Sequence, residues 1–203
     1  MALPVASVFW MHGGAELDRM AEWRKETLRL KEKHGWQAKP GYKIFVVDQG
    51  ALRFDIPKDW IVDLATSSFK FYDRQPPDDN CTLEVSLIRL PPIDWSGLPL
   101  SQLLLQSAAD EDSGGRVREA DVRKVDRQDL EMVWAETTYI DPAQKRKAHS
   151  RICLARGSNL QVLVTLAFWA DDASWVSPVW DEILGSLRLG LFVRDPTRGP
   201  TVM

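Results

Sequence analysis

The chain has 203 residues, a length that fits one domain with appendages and allows a core to form without a metal or disulfide. Its formal net charge is −3, and its only notable basic cluster is Lys145-Arg146-Lys147. Proteins that bind nucleic acid normally present a basic face or stripe, so this balance argues against nucleic acid as a partner.

Residues 1–14 contain a short apolar run that is not typical of a targeting segment. The run has neither a basic region before it nor a small-residue cleavage site after it. It is also shorter than the roughly 20 residues that a membrane-spanning helix needs, and no other stretch is apolar enough. We therefore predict a cytoplasmic protein without a membrane span.

Residues 15–34 have the pattern of an amphipathic helix. They lack glycine and proline, and apolar or small side chains recur at spacings of three and four, at Met20, Trp23, Thr27 and Leu30. Such a stripe is expected to pack on the domain or on a second copy of the chain, so self-association through this helix is one hypothesis. We assign residues 1–41 to an N-terminal extension made of this helix and a linker.

Two strands follow, and the second carries a distinctive ending. Residues 42–47 form a short apolar strand. In residues 51–56, apolar side chains alternate with Arg53 and Asp55, which predicts one buried and one wet face. Pro57 lacks an N–H group and ends the strand, and Trp60 is expected to anchor the chain over the sheet edge.

The rest of the chain alternates further strands with two helices. Strands are predicted at 69–72, 81–90, 120–125, 130–140, 148–156 and 160–169, with a helix at 98–109 and a last helix that starts at Ser177-Pro178. The run 160–169 is apolar at nearly every position, which is typical of a central strand covered on both faces. Residues 191–203 are predicted to be a flexible tail.

The order of elements and two segments carry a family resemblance. "RFDIPKDW" (residues 53–60) opens the sheet, and "VWDEILGSLRL" (residues 179–189) closes the domain. Together they resemble the PsbP-like superfamily, which includes the extrinsic photosystem II protein, a eukaryotic Ran-release factor, DcrB-like lipoproteins and adaptor chaperones of secretion effectors. The resemblance implies an α+β fold, an α/β/α sandwich with a central antiparallel sheet, over residues 42–190. The helix at 15–34 would be an addition to it.

Members of this superfamily mostly bind proteins and share no single active site. The resemblance therefore implies a protein partner and assigns no residue a functional role.

The sequence carries no catalytic or metal-binding motif. There is no zinc signature, nucleophile elbow or phosphate-binding loop, so we predict no metal, no cofactor and no catalytic residue, and we leave enzymatic activity open as the lesser alternative. That alternative would use polar side chains on one sheet face, with Glu84, Glu136, His149 and Arg151 as candidates. Spacing alone does not show whether these four side chains converge.

Tryptophan supplies the candidates for partner binding. Of the nine tryptophans, Trp60, Trp134, Trp169 and Trp180 fall at positions expected to be core. Trp36 and Trp95 lie in loops rich in glycine and proline, where an exposed indole is a good contact for a protein partner and where loop anchoring is the alternative.

The two cysteines, Cys81 and Cys153, lie in apolar strand runs and are expected to be reduced, with a cross-strand disulfide as the alternative. The sequence as a whole predicts a non-catalytic protein-binding or adaptor domain.

Overall fold

The computed structural model describes residues 5–11, 23–64, 68–109 and 121–200. Its strands are β1 Val5–Met11, β2 Trp23–Arg29, β3 Tyr42–Val47, β4 Leu52–Pro57, β5 Ile61–Leu64, β6 Phe69–Tyr72, β7 Cys81–Arg89, β8 Arg123–Val125, β9 Glu131–Ile140, β10 Lys147–Gly157, β11 Leu160–Trp169 and β12 Arg188–Leu189. Its helices are α1 Leu100–Ala109 and α2 Ala173–Ser186. The predicted α+β class with a central antiparallel sheet is confirmed.

The chain divides into two compact units. One comprises Met1–Asp59 with Val179–Met203, and the other comprises Trp60–Pro178. The first unit holds a five-stranded sheet in the order β12-β4-β3-β1-β2, in which only the β1–β3 pair is parallel. The second holds an antiparallel sheet in the order β5-β6-β7-β11-β10-β9-β8. The domain boundaries predicted after residues 41 and 190 stay predictions.

The prediction of a helix at 15–34 is wrong for residues 23–34, the part of this range that the structure describes. Trp23–Arg29 is strand β2, paired antiparallel with all of β1, and residues 15–22 lie outside the described residues. Helix propensity is a weak prior that tertiary pairing overrides, and here β1 supplies the backbone partners. Self-association through such a helix loses its basis.

The tail predicted to be flexible is hydrogen-bonded over its described part, 191–200. The amide of Lys31 donates to the Thr197 carbonyl at 3.0 Å, and the indole N–H of Trp36 donates to the Pro196 carbonyl at 2.8 Å. Trp36 is 3% exposed. The prediction of Trp36 as an exposed partner contact is therefore corrected, because its ring is enclosed by the returning tail and serves as an anchor.

Strand β4 ends at Pro57 as predicted, but neither of its faces is wet. All five side chains from Leu52 to Ile56 are buried, including Arg53 and Asp55. Trp60, the residue directly before the edge strand β5, is 3% exposed, as expected for an anchor.

Strand β11 lies at the centre of the seven-stranded sheet, as predicted. Its burial alternates along the strand, with Leu160, Val162, Val164, Leu166 and Phe168 buried and the side chains between them half-buried. The expectation of full cover on both faces is therefore wrong. Helix α2 also begins earlier than predicted, at Ala173, so that Pro178 lies inside it.

The two cysteines are free and buried, as expected. Cys81 on β7 is opposite Phe168 and Cys153 on β10 is opposite Val164, so strand β11 lies between them. Two strand spacings of about 4.8 Å each exceed the roughly 7 Å Cα separation that a disulfide tolerates. Burial raises the pKa of both thiols, which keeps them protonated and unreactive.

Candidate functional site

Strand register divides the four candidates of the predicted polar face. Glu136 and Arg151 are directly opposite each other on β9 and β10, so they share a face of the sheet. Glu84 is opposite Thr165, which in turn is opposite Ile152, the neighbour of Arg151 along the strand. Successive side chains alternate between faces, so Glu84 lies on the other face.

Glu84 has its own partners on that face. Its carboxylate accepts a hydrogen bond from the Ser68 hydroxyl and lies 3.8 Å from the ammonium of Lys70. The structure therefore removes Glu84 from the predicted set.

The other three candidates converge. The Nε of Arg151 donates to Oε2 of Glu136 at 2.6 Å, and its Nη2 donates to the Ser177 hydroxyl at 2.9 Å. The Nδ1 of His149 lies 3.3 Å from Oε1 of Glu136 and 3.2 Å from the Thr138 hydroxyl. Both carboxylate oxygens of Glu136 are thus used within the cluster.

Aromatic rings pack against this cluster. The His149 ring stacks on Phe168 with centroids 5.3 Å apart, and the Arg151 guanidinium lies 5.1 Å from Phe168 and 5.7 Å from Trp134. The side chain of Arg151 is only 9% exposed. A buried arginine with a carboxylate partner and aromatic neighbours is the arrangement of a packing network, in which each group fixes the next.

A second set of features lies at one end of the seven-stranded sheet, where β7 ends and the β10–β11 hairpin turns. The amide of Leu90 donates to the Asn159 carbonyl in that hairpin at 2.8 Å. The Nη2 of Arg156 donates to the Leu98 carbonyl at 3.1 Å. We term the segment 90–99 the platform loop. Both of its ends are therefore hydrogen-bonded to the β10–β11 hairpin.

The platform loop is also bonded internally around the predicted candidate Trp95. Its indole N–H donates to the Pro91 carbonyl at 3.1 Å, and its own carbonyl accepts from the Leu98 amide at 3.0 Å. Trp95 is half-buried, so it anchors the loop and keeps part of its ring at the surface. Ile93 in the same loop is 60% exposed, and Ile88 at the end of β7 is 51% exposed.

Beside the platform loop lies an open groove with a volume of about 710 Å³, which we term the α1 groove. Its wall includes Pro99 and Ser101 at the start of α1 and the connection from β8 to β9. Six charged residues line it: Lys124, Asp126, Arg127, Asp129, Glu131 and Arg156.

Four of these form two ion pairs, Arg127 with Asp129 and Arg156 with Glu131. With Lys124 and Asp126, the lining contains three cations and three carboxylates, so the formal charges of the groove balance.

Sequence reasoning found Trp95 but not Ile93, Arg156 or Lys124. The proline pair Pro91-Pro92 marks a loop, but only the fastening of both loop ends shows that Ile93 is held in place. The sequence marks Arg156 only by its position directly before Gly157, the first residue of the predicted hairpin turn. Its burial depends on contacts from residues about 25 and 58 positions away.

Within the described ranges, no group of three or more His, Cys, Asp or Glu side chains is arranged to hold a metal ion. Over those same residues, neither helix has the length and apolarity that crossing a bilayer requires.

The antiparallel seven-stranded sheet with a helix on one face is the fold of PsbP-like proteins. The solution structure of cyanobacterial PsbP from Synechocystis sp. PCC 6803 superimposes with a TM-score of 0.52, covering 77% of this chain and 96% of that one at 12% identity. The Ran-binding protein Mog1p of Saccharomyces cerevisiae gives a TM-score of 0.48 at 10% identity, over 73% of this chain and 95% of that one. The fold that the resemblance implied is confirmed by the superposition on cyanobacterial PsbP.

Within that fold the chain belongs to the Alr1449 family, which it matches over residues 43–193. It is 46% identical over 179 residues to the uncharacterised protein alr1449 of Nostoc sp. strain PCC 7120, covering 88% of this chain and 93% of that protein.

Proposed function

We propose that this chain is a non-catalytic protein-binding domain that acts as an adaptor, and that its partner docks on the platform loop. The observation that carries the proposal is the exposure of Ile93, two residues from Trp95 on a loop that is hydrogen-bonded at both ends, together with the exposure of Ile88 at the end of β7, just before that loop. Exposed apolar side chains on a fixed backbone lose little conformational entropy on binding, and aromatic anchors contribute most of the energy at such surfaces.

The occupant that fits this surface is a protein segment with apolar side chains. Ile88 and Ile93 offer aliphatic contact, and the outward part of the Trp95 ring offers a flat one. The PsbP-like fold fits this role as a scaffold, since it supplies a rigid sheet from which the loop projects.

The proposal includes a cytoplasmic location. Two free, buried cysteines fit a reducing compartment, in which thiols are kept from pairing.

The test is binding of an identified partner to matched variants. A partner recovered by crosslinking from cells that express the tagged full chain would be purified, and its affinity for the chain measured by calorimetry. Ile93→Glu should weaken binding at least about tenfold, because it places a charge in an apolar contact. Recovery of a protein alone does not count as support.

The matched control is Ile140→Glu. Ile140 is 61% exposed, almost the same as Ile93, but register places it at the opposite end of the sheet, beside Lys147. Both changes are at the surface, so each should alter stability by less than about 0.5 kcal/mol. Equal affinity of the two variants for the partner would overturn the proposal.

A ligand-binding or enzymatic role for the converged Glu136, His149 and Arg151 is the second candidate, because the structure brings these three groups into contact. A packing role predicts that Glu136→Gln lowers the melting temperature and leaves partner affinity unchanged. A ligand site predicts instead that a small molecule raises the melting temperature of the wild-type chain but not that of this variant.

A further inference from the structure

A small slot, which we term the aromatic slot, opens on the seven-stranded sheet at the end away from the platform loop. Register places Tyr139, Ala148 and Trp169 directly opposite one another on β9, β10 and β11, so their side chains form one row on one face. Ala148 is buried and carries only a methyl group, and both aromatic residues are half-buried. The row therefore has two aromatic walls, two strand spacings of about 4.8 Å apart, with a floor between them.

The end of the aromatic slot is polar. Asp79 and Asn80, which precede β7, and Thr82 on β7 complete its lining with the second small floor residue, Ala167. Oδ2 of Asp79 accepts a hydrogen bond from the Thr82 hydroxyl at 2.7 Å, which holds the carboxylate in place. Within the described ranges Asp79 has no cationic partner, so its charge is available to a ligand.

The potential at this end of the sheet is negative. Burial raises the pKa of the Cys81 thiol at the start of β7, and the carboxylates of Asp73, Asp172 and Asp79 raise it further, against a smaller opposing effect of Arg151. Carboxylates therefore outweigh cations around the neighbour of Thr82, and this field favours a cation in the slot.

Trp169 already attracts a cation elsewhere on its ring. The guanidinium of Arg146 lies 4.9 Å from the ring centre and pairs with Asp171 at 2.9 Å. Arg146 is not among the described residues that line the slot, so it contacts Trp169 from outside. The electron-rich face of an indole attracts cations in this way, most strongly where water is excluded.

The size of the slot limits the ligand. Its volume is about 100 Å³, and a cavity of about 150 Å³ holds a benzene molecule, so a group of about four or five heavy atoms fits. A nucleobase or a sugar ring is larger than that. Among the described residues that line it, Asp79 is the one carboxylate, whereas Ca²⁺ takes about six to eight oxygen ligands. The slot thus suits a small organic cation better than a metal ion.

We propose that the aromatic slot binds the trimethylammonium head of a cationic ligand. A primary ammonium has three N–H donors to satisfy, whereas a methylated one offers only C–H groups, which aromatic walls accommodate. The methyl groups lie between Tyr139 and Trp169 above Ala148, and Asp79 balances the charge. The site is at the opposite end of the sheet from the platform loop and does not depend on the partner surface proposed above.

The test is a titration of the full chain with choline, followed by amide chemical shifts. Saturable shifts are expected at Ala148 and Ala167. The neutral analogue 3,3-dimethylbutan-1-ol has the same shape with carbon in place of nitrogen, and it should bind at least about tenfold more weakly. Ethanolamine, which carries a primary ammonium, should also bind more weakly. Equal binding of either analogue, or no saturable shift with choline, would overturn the proposal.

Two variants link the binding to the named groups. Asp79→Asn removes the charge and keeps an acceptor for the Thr82 hydroxyl, and it should weaken choline binding at least about fivefold. Trp169→Leu removes one wall and should abolish binding, with a melting curve to show that the variant is folded. Asp78→Asn is the control, because Asp78 is exposed in the same loop and does not line the slot. Unchanged affinity in Asp79→Asn, or an equal loss in Asp78→Asn, would refute the proposal.

The source of the head group is separated by two acetylated tripeptides, one with a central trimethyllysine and one with unmodified lysine. If the trimethyllysine peptide binds more tightly than choline, the slot reads a methylated side chain. If choline binds more tightly, the ligand is a small molecule. Either result supports a trimethylammonium site, and equal binding of the unmodified lysine peptide contradicts it.

Discussion

Arg53 and Asp55, two residues apart on β4, form an ion pair with Nη2 of the arginine 2.7 Å from Oδ1 of the aspartate, although both side chains are more than nine-tenths buried. The pair is joined to the end of α2. Nη1 of Arg53 donates to the Ser186 carbonyl at 2.8 Å, and the Asp55 amide donates to the Ser186 hydroxyl at 2.8 Å. Nη2 also donates to the Gln37 carbonyl at 2.6 Å.

Burial raises the pKa of the Asp55 carboxyl to about 6, and the neighbouring Arg53 opposes that rise. The folded chain therefore holds this proton more tightly than the unfolded chain does. The resulting stabilisation is complete below a pH of about 4 and is lost as the pH rises through about 6.

We predict that Arg53→Met lowers the free energy of unfolding by about 3–5 kcal/mol at a pH of about 7.5, because it leaves a buried carboxylate without its cation. At a pH of about 5 the loss should be smaller, since a protonated Asp55 needs no counter-ion. Urea denaturation at both pH values measures the difference.

The control for this prediction is Arg74→Met. Arg74 pairs with Asp73 at 3.4 Å, but the arginine side chain is 59% exposed, so the pair should contribute less than about 1 kcal/mol at either pH. Equal losses for Arg53→Met at the two pH values would mean that Arg53 does not influence the pKa of Asp55.

Trp60→Ala should lower the free energy of unfolding by about 3–5 kcal/mol, because it empties the space of a large buried ring. Trp175→Ala is the matched change at a tryptophan that is 37% exposed and donates to Asp172 at 2.9 Å, and it should cost about 1 kcal/mol. Chemical denaturation of both variants compares them. Similar losses would contradict the anchoring role of Trp60.

Gly199→Ala should destabilise the chain more than Gly41→Ala. Both glycines have a positive φ, +67° at Gly199 and +88° at Gly41, so alanine is strained at each by about 1–2 kcal/mol. A Cβ at Gly199 would also lie 2.6 Å from the ring of Trp36, whereas nothing lies within 4 Å at Gly41.

The loss of stability caused by Gly199→Ala should exceed that caused by Gly41→Ala by at least about 1 kcal/mol, as in other overpacked sites. This difference measures how tightly the tail packs on Trp36. Melting curves of the two variants give it by subtraction. A loss no larger than that of Gly41→Ala would show that the tail is not held on Trp36.

The sequence by itself determined the elements whose pattern is local. Alternating side chains marked strand β7, a nearly continuous apolar run marked β11, Pro57 marked the end of β4, and leucines at helical spacing marked α1. The type of each such element follows from its local pattern, so the α+β class and the PsbP-like resemblance could be read without coordinates.

Only the tertiary structure decided what depends on partners distant in sequence. Strand pairing with β1 made Trp23–Arg29 a strand, and the returning tail enclosed Trp36. Register placed Glu84 on the opposite face from Arg151, and the Leu98 carbonyl held Arg156 in the groove. The residue type and its sequence neighbours limit the interactions that a side chain can make. Its burial and its actual partners depend on contacts with residues that are distant in sequence.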